Sequence, residues 1–350
     1  MALLLLWIVF IFLLGASIGS FLNVVVGRLP YEKSLLWPAS TCPRCWQPIA
    51  WYDNLPILSW LLLRGRCRRC GLAIAVRYLL VELGTGLAFV GLFYAEMIAN
   101  VVELPILTHH WGVPLGFFPP GALALFFHHA ILMSFLLAAS LCDLNEMEIP
   151  LSITLWGTLI GLILSTVFPW PFPETLALVA PVEPGMPVFP PTRGVYAWPV
   201  WYPLPDWLPQ GSWQEGLATG LAGALAGMAL LRGVRFLFSL GRGIEGLGVG
   251  DADLMMMAGA FIGWQPVLVA FLVAVGPGLV FALGQLFLRG QQSLPFGPSL
   301  SMGVMITVLC WPALGVALGP AMFDAIIVGS VALGGAIALL FVSFLLRLIG

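Results

Sequence analysis

Two aspartates sit where long apolar runs meet polar sequence. Asp143 closes the run 123–142, and Asp251 follows Gly248-Val249-Gly250 and opens the next run. Ionisable groups are costly in membrane segments, so each is a candidate for function by default. Two carboxylates brought close together cannot both ionise easily and share a proton. One then activates water as a base while the other protonates or polarises a peptide carbonyl, which is the logic of an aspartyl protease. Gly248 and Gly250 allow an unusual backbone turn and a close substrate approach to Asp251. Taken alone, Gly-x-Gly-Asp is a weak signal, equally met by a loop turn with a helix-capping Asp. Asp143 alone reads equally well as a polar helix end facing water.

A second constellation is Cys42-Pro-Arg-Cys45 and Cys67-Arg-Arg-Cys70, the pairs separated by 21 residues. Thiolates at these spacings suit tetrahedral Zn²⁺ in a closed structural site. Two reduced pairs without metal, or a redox pair, are the alternatives. Cys142 and Cys310, in or beside apolar runs, read as buried inert thiols. His109 and His110 fall in an outer loop. His128 and His129 lie about 20 Å of helix rise from Asp143 and read as interfacial packing. Met255, Met256 and Met257 read as helix packing.

The elements that position these residues are membrane helices. Hydrophobic residues make up 60% of the 350 positions and charged residues 9%, far below a soluble domain's share. With a net charge of −2 and no basic surface or nucleic-acid motif, nucleic acid is excluded as a partner and lipid is implied. Apolar runs of span length cover roughly 4–27, 77–99, 121–142, 150–168, 215–239, 252–264, 266–288, 297–317 and 322–347. The expected fold is an all-α polytopic membrane protein of eight or nine transmembrane helices with a small cytoplasmic zinc-binding insertion. Residues 1–28 form the first span, being too long in apolar sequence and lacking the basic start of a signal peptide. The run 252–264 is short and is broken from the next by Trp264-Gln265-Pro266, so a re-entrant segment is an alternative. No internal repeat is evident.

With the N-terminus outside and nine crossings, Arg28, Lys33, Arg44, Arg64, Arg66, Arg68, Arg69, Arg77, Arg232, Arg235, Arg242, Arg289 and Arg347 all fall on the cytoplasmic side. Only Arg193 falls outside. Residues 29–76 are then a cytoplasmic tetracysteine region, and 77–350 a membrane region carrying both aspartates at one face. An outer insert, 168–213, holds twelve prolines and five tryptophans, which suits an extended flap resting at the interface.

The order and density of these motifs resemble the bacterial type IV prepilin peptidases. The resemblance rests on GSFLNVVVGRLP at 19–30, the paired cysteines, DNLPILSW at 53–60, RGRC at 64–67, Arg77-Tyr78 and Val81-Glu82-Leu83. It continues with Asp143 seven residues before Pro150, EGLGVGD at 245–251 and Pro295-Phe-Gly-Pro298. It spans nearly the whole chain except the outer insert and the last span. It implies a bifunctional enzyme of the bacterial inner membrane with its active site facing the cytoplasm. Asp143 and Asp251 match the catalytic pair of the Gly-x-Gly-Asp intramembrane aspartyl peptidases. Such enzymes cut the basic leader of type IV prepilins and type II secretion pseudopilins after a glycine. The cytoplasmic region corresponds to an N-methyltransferase using S-adenosylmethionine, and Cys42, Cys45, Cys67 and Cys70 match the zinc cysteines.

Residues 29–76 hold no strand and glycine-rich helix start of the kind that cradles a nucleotide. A methyl-donor site would be shared with the helices, near Asp53 or Glu82. Two departures from the family pattern stand out. Asp253 occupies the place where a lysine is common two residues after the second aspartate, and Leu151 follows Pro150 where an acid or amide is common. A third carboxylate near the pair would raise neighbouring pKa values or invite a cation, although positions two apart on a helix face different directions. Two other readings compete: a peptidase without methylation, and a zinc-ribbon membrane transporter or scaffold in which the aspartates carry protons. Transporters place such acids near the midplane in two related halves.

Overall fold

The structure, a computed structural model, describes residues 2–349 except 36, 38–39, 43, 109, 169–206, 210–211, 244–247, 290–294 and 323–324. His109, Arg193, Glu245 and nearly all of the insert 168–213 therefore lie outside the described residues. No strand occurs among the described residues, only two isolated bridges, Thr41 with Pro48 and Arg66 with Ala73. The helices are α1 (Ala2–Arg28), α2 (Leu58–Leu62), α3 (Val76–Phe93), α4 (Pro105–Thr108), α5 (Pro120–Glu146) and α6 (Leu151–Val167). They continue as α7 (Trp213–Arg242), α8 (Val249–Ile262), α9 (Trp264–Arg289), α10 (Gly297–Met322) and α11 (Ala325–Ile349).

Seven of these, α1, α3, α5, α7, α9, α10 and α11, are long and apolar enough to cross a membrane, and α6 is a shorter apolar helix. The protein is a multi-pass membrane protein. Each apolar run expected from the sequence is a helix. The run expected at 252–264 is the 14-residue α8, about 21 Å at 1.5 Å per residue, short of a hydrocarbon core of about 30 Å. Its break from α9 is at Gly263, with φ of 81°, while Trp264 already opens the next helix.

Two compact units organise the chain: residues 1–100 with 110–126, and residues 101–109 with 127–350. In the first, α1 and α3 run antiparallel and very close. A Cβ on Gly19 would lie 2.8 Å from the Glu82 backbone, so only glycine admits this approach. Buried Asn23 donates from Nδ2 to the Tyr78 carbonyl at 3.1 Å, and the Trp7 indole donates to the Gly116 carbonyl at 3.1 Å.

In the second unit α8 is the centre, with Asp251 to Met255 and Met257 to Ile262 buried. Gly223 of α7 and Gly259 of α8 lie backbone against backbone with no room for a side chain on either. Carbonyls at the end of a helix inside a bilayer need partners. The Ser165 hydroxyl of α6 donates to the Ala260 carbonyl at 2.9 Å, and His128 Nε2 of α5 meets the Phe261 carbonyl at 2.9 Å. His128 thus closes a helix end within the protein. Met255 and Met257 pack as expected, and Cys142 is buried. Cys310 departs from expectation: it is exposed on α10, where the surrounding medium is itself apolar.

Candidate active site and metal centre

Asp143 and Asp251 border one cavity of about 440 Å³ and are close enough to interact electrostatically. Both are more than nine-tenths buried. Asp143 lies in the last turn of α5. Its Oδ2 accepts the N–H of Gly297, the first residue of α10, at 2.8 Å. Asp251 occupies the first turn of α8, and its Oδ2 accepts the Gly248 N–H at 3.3 Å. Each acid is therefore held by a backbone N–H at a helix start. One turn behind Asp143, the Ser140 hydroxyl donates to Ser301 Oγ at 2.8 Å and pins α5 to α10 in that register.

The glycines work differently from expectation. Gly248 is an ordinary extended residue, φ −67° and ψ 149°, and neither it nor Gly250 has positive φ. Gly250 is required sterically: a Cβ there would lie 2.9 Å from Ile149 Cβ, in the turn between α5 and α6. That turn reverses at Met147, with φ of 55°, and brings Ile149 and Leu151 to the cavity. Gly297 is the residue whose role sequence reasoning missed. A Cβ there would lie 2.7 Å from Asp143 Oδ2. The available signal was a glycine flanked by Phe296 and Pro298 at a helix start.

Asp253 also borders the cavity, so of the two readings the third carboxylate near the pair is the one met, and helical spacing does not turn it away. The cavity lies at the N-terminal end of α8, where residues on several sides of the first turn reach it. Arg232 of α7 reaches Asp253 Oδ1 at 3.4 Å and supplies a countercharge. No feature of the sequence singled out Arg232 for this.

The four paired cysteines come together as expected. Their sulfurs all lie within 4.8 Å of one another, and Cys42 Sγ is 3.7 Å from Cys70 Sγ. A tetrahedron with Zn–S of about 2.3 Å needs sulfurs about 3.8 Å apart, so the set fits zinc. Two turns of the same design build it. The Cys42 N–H donates to Gln47 O and Trp46 N–H to Cys42 O; the Cys67 N–H donates to Leu72 O and Gly71 N–H to Cys67 O. Trp46 and Gly71, equivalent in the two turns, both have positive φ, 56° and 71°. The repeated Cys-x-Arg-Cys of the sequence is thus matched by a repeated set of backbone hydrogen bonds. Backbone N–H groups of Cys45 and Arg44 pull the Cys42 thiol down to about 6. Cys70 is pulled down by the Leu72 N–H, but burial and the other thiols push it up to about 11. Four sulfurs this close cannot all ionise without a cation between them.

The two carboxylates expected near a methyl donor are both engaged in internal contacts. Asp53 is held by Arg68 at 2.6 Å, which keeps its carboxyl below the usual range, and Glu82 Oε2 accepts the Ile57 N–H at 2.7 Å.

A helical multi-pass membrane protein with two buried carboxylates on one cavity has the architecture of an intramembrane aspartic peptidase. Residues 13–96 match the family described as Bacterial Peptidase A24 N-terminal domain, and residues 207–283 match the Type IV leader peptidase family. The prepilin leader peptidase/N-methyltransferase of Aeromonas salmonicida (strain A449) is 30% identical over 337 residues, covering 87% of this chain and 91% of the relative. That of Klebsiella pneumoniae is 34% identical over 74% of this chain and 87% of the relative. That of Myxococcus xanthus (strain DK1622) is 33% identical over 82% of this chain, which spans 65% of that relative's length. No solved structure matches the chain. The chain belongs to the prepilin leader peptidase/N-methyltransferase family.

Proposed function

We propose that this protein cleaves the leader of type IV prepilins and type II secretion pseudopilins after a glycine, and then methylates the new N-terminal amine. The observation that carries the peptidase reading is the placement of Asp143 and Asp251, from two different helices, on one cavity. With one proton shared between them, the ionised carboxylate takes a proton from water while the protonated one donates to the scissile carbonyl. The N–H groups of Gly297 and Gly248 hold the carboxylates in position during this exchange. The charge distribution of the sequence supports an inner-membrane protein with this cavity at the cytoplasmic face.

Methyl transfer from S-adenosylmethionine rests on the relatives' name, and no step of it is derived from Asp53 or Glu82. Zinc at Cys42, Cys45, Cys67 and Cys70 would fix the two cysteine turns and supplies no reacting atom.

The test is to incubate the full-length protein in lipid with a synthetic prepilin and weigh the product, which reports leader loss and methylation together. Asp143→Asn and Asp251→Asn should each lower cleavage by about 10³-fold or more while the protein still inserts and methylates a pre-cleaved peptide. Normal cleavage by both variants would sink the peptidase assignment.

A further inference from the structure

The segment joining the two spans of the first unit carries an apolar face that the unit leaves uncovered. On α2, Leu58 and Leu61 are each 53% exposed and Leu62 is 79% exposed. Spacings of three and four place them on one side of the helix. Just before them, Trp51 is 79% exposed and Leu55 is 43% exposed, so the face continues along the chain. Arg64, Arg66 and Arg69 follow at once and are exposed.

A hydrogen bond fixes the level of this segment against the membrane. The Ile57 N–H donates to Glu82 Oε2 at 2.7 Å. Glu82 lies within the span that begins at Val76, about 9 Å along the axis from its start at 1.5 Å per residue. Because the Glu82 side chain leans back toward the start of α3, Ile57 is held beside the opening turns of a membrane-crossing helix instead of standing clear of its end. The Trp60 indole donates to the Ile74 carbonyl at 3.3 Å and the Ile74 N–H to Gly65 O at 2.7 Å, which ties α2 to the second cysteine turn at the same level.

We propose that residues 51–63 form an interfacial element lying in the headgroup–acyl boundary of one leaflet. The leucines and Trp51 face acyl chains, and Arg64, Arg66 and Arg69 meet anionic phosphates. Amphipathic segments of this kind settle 5–10 Å into the boundary, and the Glu82 tether holds Ile57 beside the opening turns of α3, where such a segment would lie. Arginines close to the surface gain from an anionic leaflet. The cysteine turns are thereby held against the membrane from two sides, by the flanking spans and by this element.

The experiment uses the full-length protein in nanodiscs of phosphatidylglycerol and phosphatidylcholine containing a lipid with an acyl-chain diazirine. After photolysis and peptide mapping, adducts should appear on the peptide spanning 51–63 and on α11, the reference, whose Ile326, Val331 and Leu333 are exposed along a spanning helix. The variant Leu58→Ser/Leu61→Ser/Leu62→Ser should lose the first set and keep the second. Leu62→Glu alone should lose part of it, and serves if the triple variant does not accumulate. Nanodiscs of phosphatidylcholine alone should give a lower yield on 51–63; an unchanged yield overturns the role given to the arginines. Adducts on α11 with none on 51–63, or adducts indifferent to the substitutions, overturn the proposal. Coverage of that peptide by a prepilin in place of lipid also overturns it and assigns the face to substrate.

Discussion

The acid pair and the cysteine cluster are built in opposite ways. Asp143 meets its backbone donor Gly297 across 154 positions of sequence, and both aspartates are buried where packed helices converge. Cys42 and Cys70 are 28 positions apart, and their cluster stands on two short turns whose hydrogen bonds close locally. One site exists only if several membrane helices pack in register. The other exists if a loop closes around a cation. They should therefore fail for different reasons, the first by steric displacement and the second by loss of metal.

With zinc in the cysteine cluster as proposed, stripping it is the harshest way to separate them. A structural zinc site contributes on the order of 10 kcal/mol to the fold it closes, far more than the local turns supply. Chelation should open residues 42–70 to limited proteolysis and cut methyl transfer by about 10²-fold or more, with leader cleavage falling less than about 10-fold. Equal loss of both activities at the same zinc content would break the comparison and make the cysteine turns a support of the acid site.

Gly297→Ala addresses the other side. The added Cβ would press on Asp143 Oδ2 at 2.7 Å and on Ile149 Cδ1 at 3.2 Å, so the carboxylate must shift. Displacing a catalytic group by about 1 Å costs on the order of 10²-fold in rate. Cleavage should fall by about that factor, while zinc content and methylation of a pre-cleaved peptide stay unchanged. An unaffected cleavage rate would show that the Gly297 contact does not position Asp143.

The same contrast explains what was legible in the sequence. Apolar runs mark helices whatever their neighbours, and each of the nine expected runs became one, but only seven are long and apolar enough to cross a membrane, those at 150–168 and 252–264 being shorter. Cys-x2-Cys spacing is local geometry, so the four-cysteine cluster could be read directly. The aspartates were visible because charge at the end of an apolar run is conspicuous. Their surroundings were not. Gly250 reads as a turn glycine until Ile149 is seen against it, and Gly297 carries no mark of the carboxylate it serves. Helical spacing weighs against Asp253 joining the pair, an argument that fails where a cavity meets the end of a helix. Arg232 lies within the apolar run 215–239 together with Arg235, and only packing shows which of the two meets Asp253.

Arg232 and Asp253 give the finest test of how the acid site differs from the cysteine site. Asp253 is buried at the cavity wall, and its contact with half-exposed Arg232 is long, 3.4 Å. Such pairs contribute about 1 kcal/mol or less, so removing the arginine should cost only several-fold in rate. The direction follows from charge. Arg232→Gln leaves a second, uncompensated negative charge, that of Asp253, beside a pair that must carry only one between them, and kcat for cleavage should fall with KM little changed. Asp253→Asn removes that charge, so the double variant should recover most of the lost kcat. If the double variant stays as slow as Arg232→Gln alone, the arginine does not act through Asp253. A rise in KM instead of a fall in kcat would place it against the substrate. Either outcome would remove the idea that charge balance around the dyad is set from a neighbouring helix, leaving steric register as the sole control of the acid site.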